Sequence, residues 1–561
     1  MFALLFFAGC ETFDLDQTED PSSLNERFLD PVLAYNFVQL ELPNYVNTTN
    51  FFTQRVIRQM AMTGGNNYDN AFAPVNFNQH WNQAYRILNA IKALTPKAVA
   101  QDQKFILGAT KIIRCYILLT LVDIYGDIPY SEALMGNSNL TPKYDKSADV
   151  YKGILSEIDE SISMLSQSTE VLPSINMYYS DKLGWIKLAN TLKLKIYTNA
   201  RLAGSELNII DLPSAISTIV VSNNYIKNAA DDFEFKYGNS RFNPNTRHPL
   251  YNNQYELGGG SYISNYFIWT MTVEKDGIDD PRTDFYFYKQ SSNPAANVSV
   301  INSTTRPNHY SDLKYRSFYN NVIQPPFIFS NWTTTSSVVP SNGYWGRDHG
   351  DNSGIPQDAN FRTVIGVYPI GGKFSSTAAT VQTGGNKGAQ GAGIVPIILS
   401  SYVNFMLSEA YLTIPGLATS QTADAKASLN LAINQSIDKT VNFLPNETKL
   451  TTSQQALIST RKINYLNFIN VTFDQLSTTK KLELIIKEYN IATWGNGIES
   501  YNSYRRTGFP SNFQPTVESF SGDFYYTAFY AGAAVNNNPN APANNFRTRR
   551  VFWDKANLIL H

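Results

Sequence analysis

The thiol of Cys10 is the first group in the chain placed to do chemistry. Nine apolar or small residues, MFALLFFAG, lead into it, and Glu11, Asp14, Asp16, Glu19 and Asp20 follow at once. That run is less than half of the ~20 apolar residues a membrane-spanning helix needs. At the extreme N-terminus it reads as a secretion signal. Phe7-Ala8-Gly9-Cys10 has the shape of a bacterial lipobox. Small residues at Ala8 and Gly9 let a peptidase reach the backbone, and the thiol can then take a diacylglycerol. Phe7 stands where Leu is typical. Residues 1–10 are therefore expected to be a truncated lipoprotein signal ending in an acylated Cys10. Nothing basic precedes that cysteine, so more of the signal is expected upstream of Met1. Residues 11–23 form an acidic surface arm. The competing reading of Cys10 is a lone structural cysteine.

Other reactive patterns are sparse. Of the two cysteines, Cys115 lies in the apolar helical stretch KIIRCYILL and is expected to be buried and inert. Two cysteines make neither a disulfide framework nor a metal box. The five histidines, His80, His248, His309, His349 and His561, show no paired spacing. No G-x-S-x-G elbow, phosphate-binding loop or dinucleotide glycine fingerprint occurs. A catalytic carboxylate pair is set by spatial separation and would leave no local signature. The stretch GYWGRDHGDNSGIPQD crowds oxygen ligands, with Asp348, Asp351 and Asp358 as candidates for a calcium loop. The EF-hand spacing is not met, and Arg347 and His349 would oppose a dication. A hydrogen-bonded turn is the competing reading.

Composition narrows the class. The 561 residues are 43% hydrophobic, enough for a large core, while charged residues are only 16% and the net charge is −1. Globular chains carry ~25% charged residues. This balance offers no footprint for nucleic acid, which requires clustered Lys and Arg. Asn and aromatic residues replace charge, with 34 Tyr, 33 Phe and 7 Trp. Flat rings and amides suit neutral polyhydroxylated ligands. Loop-rich extracytoplasmic proteins share this composition whatever they bind.

The elements that must position these groups are mainly helical. In QDQKFILGATKIIRCYILLTLVDIYGDIPYSEA, residues Phe105, Ala109, Ile112, Tyr116, Leu119 and Val122 recur at steps of three and four, and Gly126 with Pro129 ends the helix. HWNQAYRILNAIKAL repeats the pattern through Trp81, Tyr85, Leu88 and Ile91, and Thr95-Pro96 is expected to break it. A second pair covers SADVYKGILSEIDESISML and DKLGWIKLANTLKLKIYTNARL. Stacked helical hairpins predict a tetratricopeptide-like solenoid over residues 24–222, although the formal repeat signature is absent. Residues 223–393 turn rich in Asn, Ser, Thr, Gly and Pro, predicting functional loops with short strands and helices. Helices return over 394–561, in VPIILSSYVNFMLSEAYL, from Asp424 to Phe443, and in TTKKLELIIKEYNIATWGNGIESYNSYRR. One interleaved unit is expected.

Several stretches, in this order, resemble the SusD/RagB-like outer-membrane nutrient-binding lipoproteins of Bacteroidetes. They are LDQTEDPSSL, HWNQAYRILNAIK, LLTLVDIYGDIPYSEA, DGIDDPRTDFYF, GYWGRDHGDNSGIP with FRTVIGVYPIGG, the Ser408–Ala410 triplet, and WGNGIESYNSYRRTGFP. The closing FRTRRVFWDKANL resembles the family's arginine-rich aromatic ending. Ser408 where Ala is frequent, Phe552-Trp553 where Tyr-Pro is common, and the short signal depart from the pattern. The resemblance implies a surface-exposed lipoprotein, anchored in the outer membrane through acylated Cys10 and capping a SusC-like TonB-dependent transporter. It would bind an oligosaccharide, or alternatively a peptide, and act as a lid. The acids after Cys10 then read as a surface-export tag. A surface glycoside hydrolase and a purely structural tetratricopeptide-like adaptor are the readings from other classes.

The resemblance also directs attention to loops outside the solenoid. In GGNNYDNAFAPVNFNQ, Tyr68, Phe72 and Phe77 are candidate stacking rings, and Asn66, Asn67 and Asn70 candidate hydroxyl partners. Trp269, Trp332, Tyr344 and Trp345 are the middle region's candidates. Trp81 and Tyr85 are expected in the core. Trp494, Glu499, Arg505 and Arg506 are expected to form a packed corner with ion pairs.

Overall fold

The computed structural model describes residues 29–62, 71–258, 261–290 (without 273, 276 and 277), 344, 346–350, 362–375, 388–444, 450–514, 516, 524–556, 558 and 560. The first helix, α1 (Pro31–Val56), opens on the Asp30 carboxylate, which accepts from the Val32 N–H at 2.7 Å, and Pro31 supplies a preset φ at the first position. It buries Tyr35, Val38, Leu42, Tyr45 and Val46 at helical spacing. The solenoid continues through α2 (Asn78–Ala100), α3 (Lys104–Tyr125), α4 (Ser147–Gln167), α5 (Lys182–Asn199) and α6 (Leu212–Ser222). Each packs on its neighbours in sequence, and α3 lies against α1, α2, α4 and α5.

That central position explains α3's composition. It is the one described helix long and apolar enough to cross a membrane, and it is mostly buried inside the fold, as a core helix requires. It stops at Gly126, whose φ of 88° is a left-handed conformation that costs glycine little. Cys115 on α3 is fully buried against the Ile154 carbonyl, and burial pushes its thiol pKa up. In protein beginning at Thr12 it is the single thiol. A maleimide should therefore label it slowly in native buffer and completely in denaturant. Equal rates in the two conditions would contradict this burial.

Beyond the solenoid come β1 (Phe233–Lys236), α7 (Asn265–Thr272), β2 (Phe287–Tyr288), β3 (Val364–Ile365) and β4 (Ile394–Ile398). The last helices are α8 (Ser400–Thr413), α9 (Gln421–Val441), α10 (Thr452–Gln475), α11 (Thr478–Ala492), α12 (Gly497–Thr507) and α13 (Gly532–Asn537). Strands β1 and β4 pair antiparallel, with Phe235 opposite Val395, and β2 pairs with β3 through Phe287 and Ile365. Helix α12 packs on α1 and α5, and α8 packs on α5, α9 and α11.

Four local expectations change. Helix α2 runs through Pro96 to Ala100, and the Thr95 hydroxyl donates to the Ile91 carbonyl beside the site where proline removes an N–H. The start of VPIILSSYV is not helical: Ile394 to Ile398 form β4, because Pro396 opposes a helix and the β-branched neighbours suit a strand. The segment from Thr478 to Arg506 splits into α11 and α12 around Thr493–Asn496. Helix α10 was not foreseen; it buries only Ile458, Tyr465, Ile469 and Phe473, a stripe too thin to stand out.

Some of this chain's few charges form ion pairs buried inside it. The Glu409 carboxylate takes both Arg506 nitrogens at 2.8 and 2.6 Å, and Arg201 at 3.1 Å. Asp280 and Glu488 clamp the buried Arg282 guanidinium at 2.7 and 3.2 Å. Burial alone would raise both Asp280 and Glu409, yet the arginines beside them hold both carboxyls below their ordinary range. Lys195 bonds Glu499 at 2.7 Å. The expected packed corner of Trp494, Glu499, Arg505 and Arg506 is thus present, all four side chains being buried.

Candidate functional site

The motifs of the sequence build scaffold. In DIYGDIPYSEA, the Asp127 carboxylate accepts from the Ser147 N–H at the start of α4, and the Tyr130 and Ser131 N–H groups donate to Asp145. Tyr85, half-buried, donates its hydroxyl to the Pro129 carbonyl, and Trp81 is buried beside Tyr125. Near the end of the chain, Arg550 stacks 3.8 Å from the Tyr526 ring centre and bonds Asp554 at 2.9 Å.

The predicted ligand-binding rings divide in two. Asn66, Asn67, Tyr68, Asn70, Trp332 and Trp345 lie outside the described residues, as does Cys10. Phe72, Phe77, Trp269 and Tyr344 are described, and all four are buried, which corrects their assignment as stacking faces. Phe72 and Phe77 each sit 5.3 Å from Phe52, and Phe72 meets Tyr525 at 5.6 Å. The short turn Pro74–Phe77 leads directly into α2 and sets Phe77 down in that cluster. Trp269 is fully buried on α7 beside Tyr266, in the stretch YFIW whose apolar character is a core signal. The Tyr344 ring packs on Phe287 under the Lys289 ammonium.

Gly346 to Gly350 of the GYWGRDHG stretch form a buried hydrogen-bonded turn. Gly346 N–H donates to the Asn265 side-chain oxygen, Arg347 N–H donates to the Ile263 carbonyl, and Asn265 N–H returns a bond to Arg347 at 2.8 Å. One Asp348 oxygen accepts from both the Asn265 and Gln514 amides at 3.2 Å. Two amide donors at that oxygen are what a turn anchor needs, and they oppose a cation, so Asp348 is corrected from calcium ligand to anchor. Asp351 and Asp358 lie outside the described residues, and among the described residues no three His, Cys, Asp or Glu side chains gather closely enough to hold a metal ion. The His349 N–H donates to Gln514, and burial next to the Arg58 charge holds its imidazole pKa well below the ordinary value.

This turn brings together distant parts of the chain. Gly350 N–H donates to the Met62 carbonyl at 3.1 Å, so the described chain ends before residues 63–70 and 351–361 are direct neighbours. Arg58 Nε donates to the Gln514 carbonyl at 2.9 Å and ties in a third segment. The Arg347 and Arg362 guanidiniums both approach the Tyr262 ring, 5.3 and 5.5 Å from its centre. Sequence reading missed Arg58, Asn265 and Gln514 as the residues of this platform. Each stands alone in sequence, with no spacing to betray it.

Comparison with known proteins fits this architecture. Residues 19–330 match the SusD-like family model described as "Starch-binding associating with outer membrane", and residues 382–536 match that described as "Susd and RagB outer membrane lipoprotein". No curated protein matches the chain. A SusD homologue from Bacteroides fragilis is similar in fold, at 18% identity and a TM-score of 0.63, over 94% of this chain and 99% of its own. A chitin-binding SusD homologue from Flavobacterium johnsoniae gives 16% identity and a TM-score of 0.64, over 93% and 97% of the two chains. A SusD homologue from Bacteroides uniformis gives 16% and 0.62, over 93% and 99%. With more than half its length under one family model and its signature residues occupied as scaffold, this chain belongs to the SusD-like family.

Proposed function

We propose that this protein is a non-catalytic surface lipoprotein that binds a nutrient oligosaccharide and delivers it to a SusC-like TonB-dependent outer-membrane transporter. The observation that carries the reading is the match of both family models, whose descriptions name starch binding and an outer-membrane lipoprotein. The chitin-binding relative from Flavobacterium johnsoniae supports a glycan cargo. Acylated Cys10 anchors the chain, and the transporter partner strengthens an anchor that one modified residue leaves weak. The protein acts as a lid: ligand contacts made only when lid and barrel are closed shift the equilibrium toward closure.

Native gels containing soluble starch, glycol chitin, xylan, galactomannan, laminarin or pectin test this with protein beginning at Thr12. Retardation by at least one polymer, without shortened products, is the expected result. Cleavage of the polymer would overturn the non-catalytic reading. Migration unchanged on every polymer would overturn the glycan reading and favour a peptide cargo.

A further inference from the structure

A cavity of about 550 Å3 opens between the β1–β4 sheet and the C-terminal end of α9. Its volume falls in the range of small-ligand sites, roughly 300–1,000 Å3. Its lining includes none of the candidate ligand-contact residues named above. We propose that it is a glycan-binding pocket taking a neutral part of the oligosaccharide, an inference that rests on the glycan reading of the chain.

The argument begins with charge. Lys439 Nζ sits 2.9 Å from Asp232 and 2.6 Å from Glu234. Lys462 pairs with Asp438 at 2.7 Å, and Lys236 lies 3.7 Å from Glu234. In the lining itself, Glu234 and Asp438 balance Lys236 and Lys439, and the pocket has no net charge with which to recruit an ion. An anionic ligand would meet Glu234 and Asp438, and a cationic one would meet the lysines. A hydroxyl accepts from an ammonium and donates to a carboxylate, so a polyhydroxylated ligand can use both signs at once.

The apolar part of the lining matches the same chemistry. Tyr237 and Phe443 line the cavity and are both half-buried. Each ring is fixed from the side: Tyr237 meets His248 at 4.8 Å and its hydroxyl accepts from the Asn47 amide, while Phe443 meets Tyr368 at 5.2 Å and 83°. Rings held this way present C–H-binding surface without loss of side-chain freedom on binding. The backbone wall at Gly393 lies so close to Pro369 and Ile370 that a Cβ there would fall 2.5 Å from the Pro369 carbonyl oxygen. The same glycine accepts the Tyr237 N–H at 2.8 Å, which seats that ring against the wall.

A neutral amide adds to these charged groups. Gln435 is engaged on both sides, donating to the Lys227 carbonyl and accepting from Asn404. The exposed Asn442 side chain makes no hydrogen bond to the described residues, although it lines the cavity. It can offer two donors and an acceptor to a sugar hydroxyl pair.

The test repeats the polysaccharide gels with Phe443→Ala, Tyr237→Ala and Asn442→Trp, converting mobility at several polymer concentrations into dissociation constants. Asn442 is exposed at a helix end, so its tryptophan variant fills the cavity mouth without disturbing the core, and it keeps the test valid should a ring variant misfold. We expect each folded variant to bind the retarding polymer about fivefold to tenfold more weakly, the effect of losing one well-placed ring or blocking its face. Wild-type retardation with unchanged constants in the folded variants overturns the pocket alone. Absence of wild-type retardation on every polymer overturns the pocket together with the glycan reading.

Discussion

Replacing Asp123 with alanine will lower the unfolding free energy by roughly 3–5 kcal/mol, the range found when one member of a buried charged network is removed. Asp123 is fully buried at the end of α3 and joins four other parts of the chain. One of its oxygens accepts from the Tyr151 hydroxyl of α4 and from the Trp553 indole N–H at 3.2 Å. The other accepts from the Asn502 amide of α12 at 2.6 Å and faces the Lys195 ammonium of α5 at 3.7 Å. Its backbone carbonyl takes the Arg505 guanidinium at 2.6 Å. Alanine would strand a tyrosine O–H, an indole N–H and an amide in a dry interior, each a costly unmade bond. It would also leave Lys195 with Glu499 as its remaining anionic neighbour in that network. Asparagine keeps the shape but turns an N–H2 toward donors, so it should lose less than alanine. Urea unfolding followed by both far-ultraviolet circular dichroism and tryptophan fluorescence measures the difference, and coincident curves justify the two-state treatment. A loss below about 1 kcal/mol for alanine would remove Asp123 from its role as a hub. Because the proposed pocket uses other residues, any polymer binding of the wild type should persist in the folded fraction of this variant.

The same hub shows what could be read from sequence. DIYGDIPYSEA, SEA and ESYNSYRR were visible as strings, and their helices were visible as three- and four-residue periodicity. What they do was legible only in part. Asp123 and Asn502 are 379 residues apart, and a contact across that separation leaves no trace in local spacing. A local signal also failed at Pro96, through which α2 continues, and at Ile394–Ile398 Pro396 and its β-branched neighbours, paired with β1, make a strand where a helix was expected. Aromatic content misled most. Phe72, Phe77 and Trp269 were singled out because rings can stack on sugars, yet rings in an apolar run bury far more area when packed on one another. Tyr237 and Phe443 escaped notice because neither stands in a motif, and only the approach of α9 to the β1–β4 sheet makes them neighbours.

Lowering the pH from 7 to 5 will destabilise this protein, with His80 and His248 together contributing roughly 4 kcal/mol and His349 acting in the same direction. Burial pushes His80 and His248 down to about 3, and His349 is also held well below the ordinary value by burial and by Arg58. The structure keeps these rings neutral. His80 lies between the Thr49 and Tyr125 hydroxyls at 3.0 and 2.8 Å, stacked on Tyr45. His248 Nδ1 accepts the Leu250 N–H at 3.1 Å, a bond that protonation would abolish. In the unfolded chain each imidazole returns to a pKa near ~6.5. Between that value and the folded one, the unfolded state binds a proton that the native state refuses. Stability is therefore full above about pH 6.5 and falls by up to ~1.4 kcal/mol per histidine per pH unit below it. Asp280 and Glu409, depressed by their arginines, add their own loss only at more acid pH, where unfolded carboxylates protonate. Asp554, raised by burial, acts in the opposite sense and offsets part of the slope. Melting temperatures recorded from pH 7.5 to 5 at constant ionic strength should fall steeply through this window. The His80→Gln variant should start lower at neutral pH, because an amide cannot reproduce the stack on Tyr45, yet fall less steeply, since the His80 titration is gone. A wild-type melting temperature that is the same at pH 7 and pH 5 would show that these histidines accept protons in the folded protein, and would overturn the dry core drawn around them.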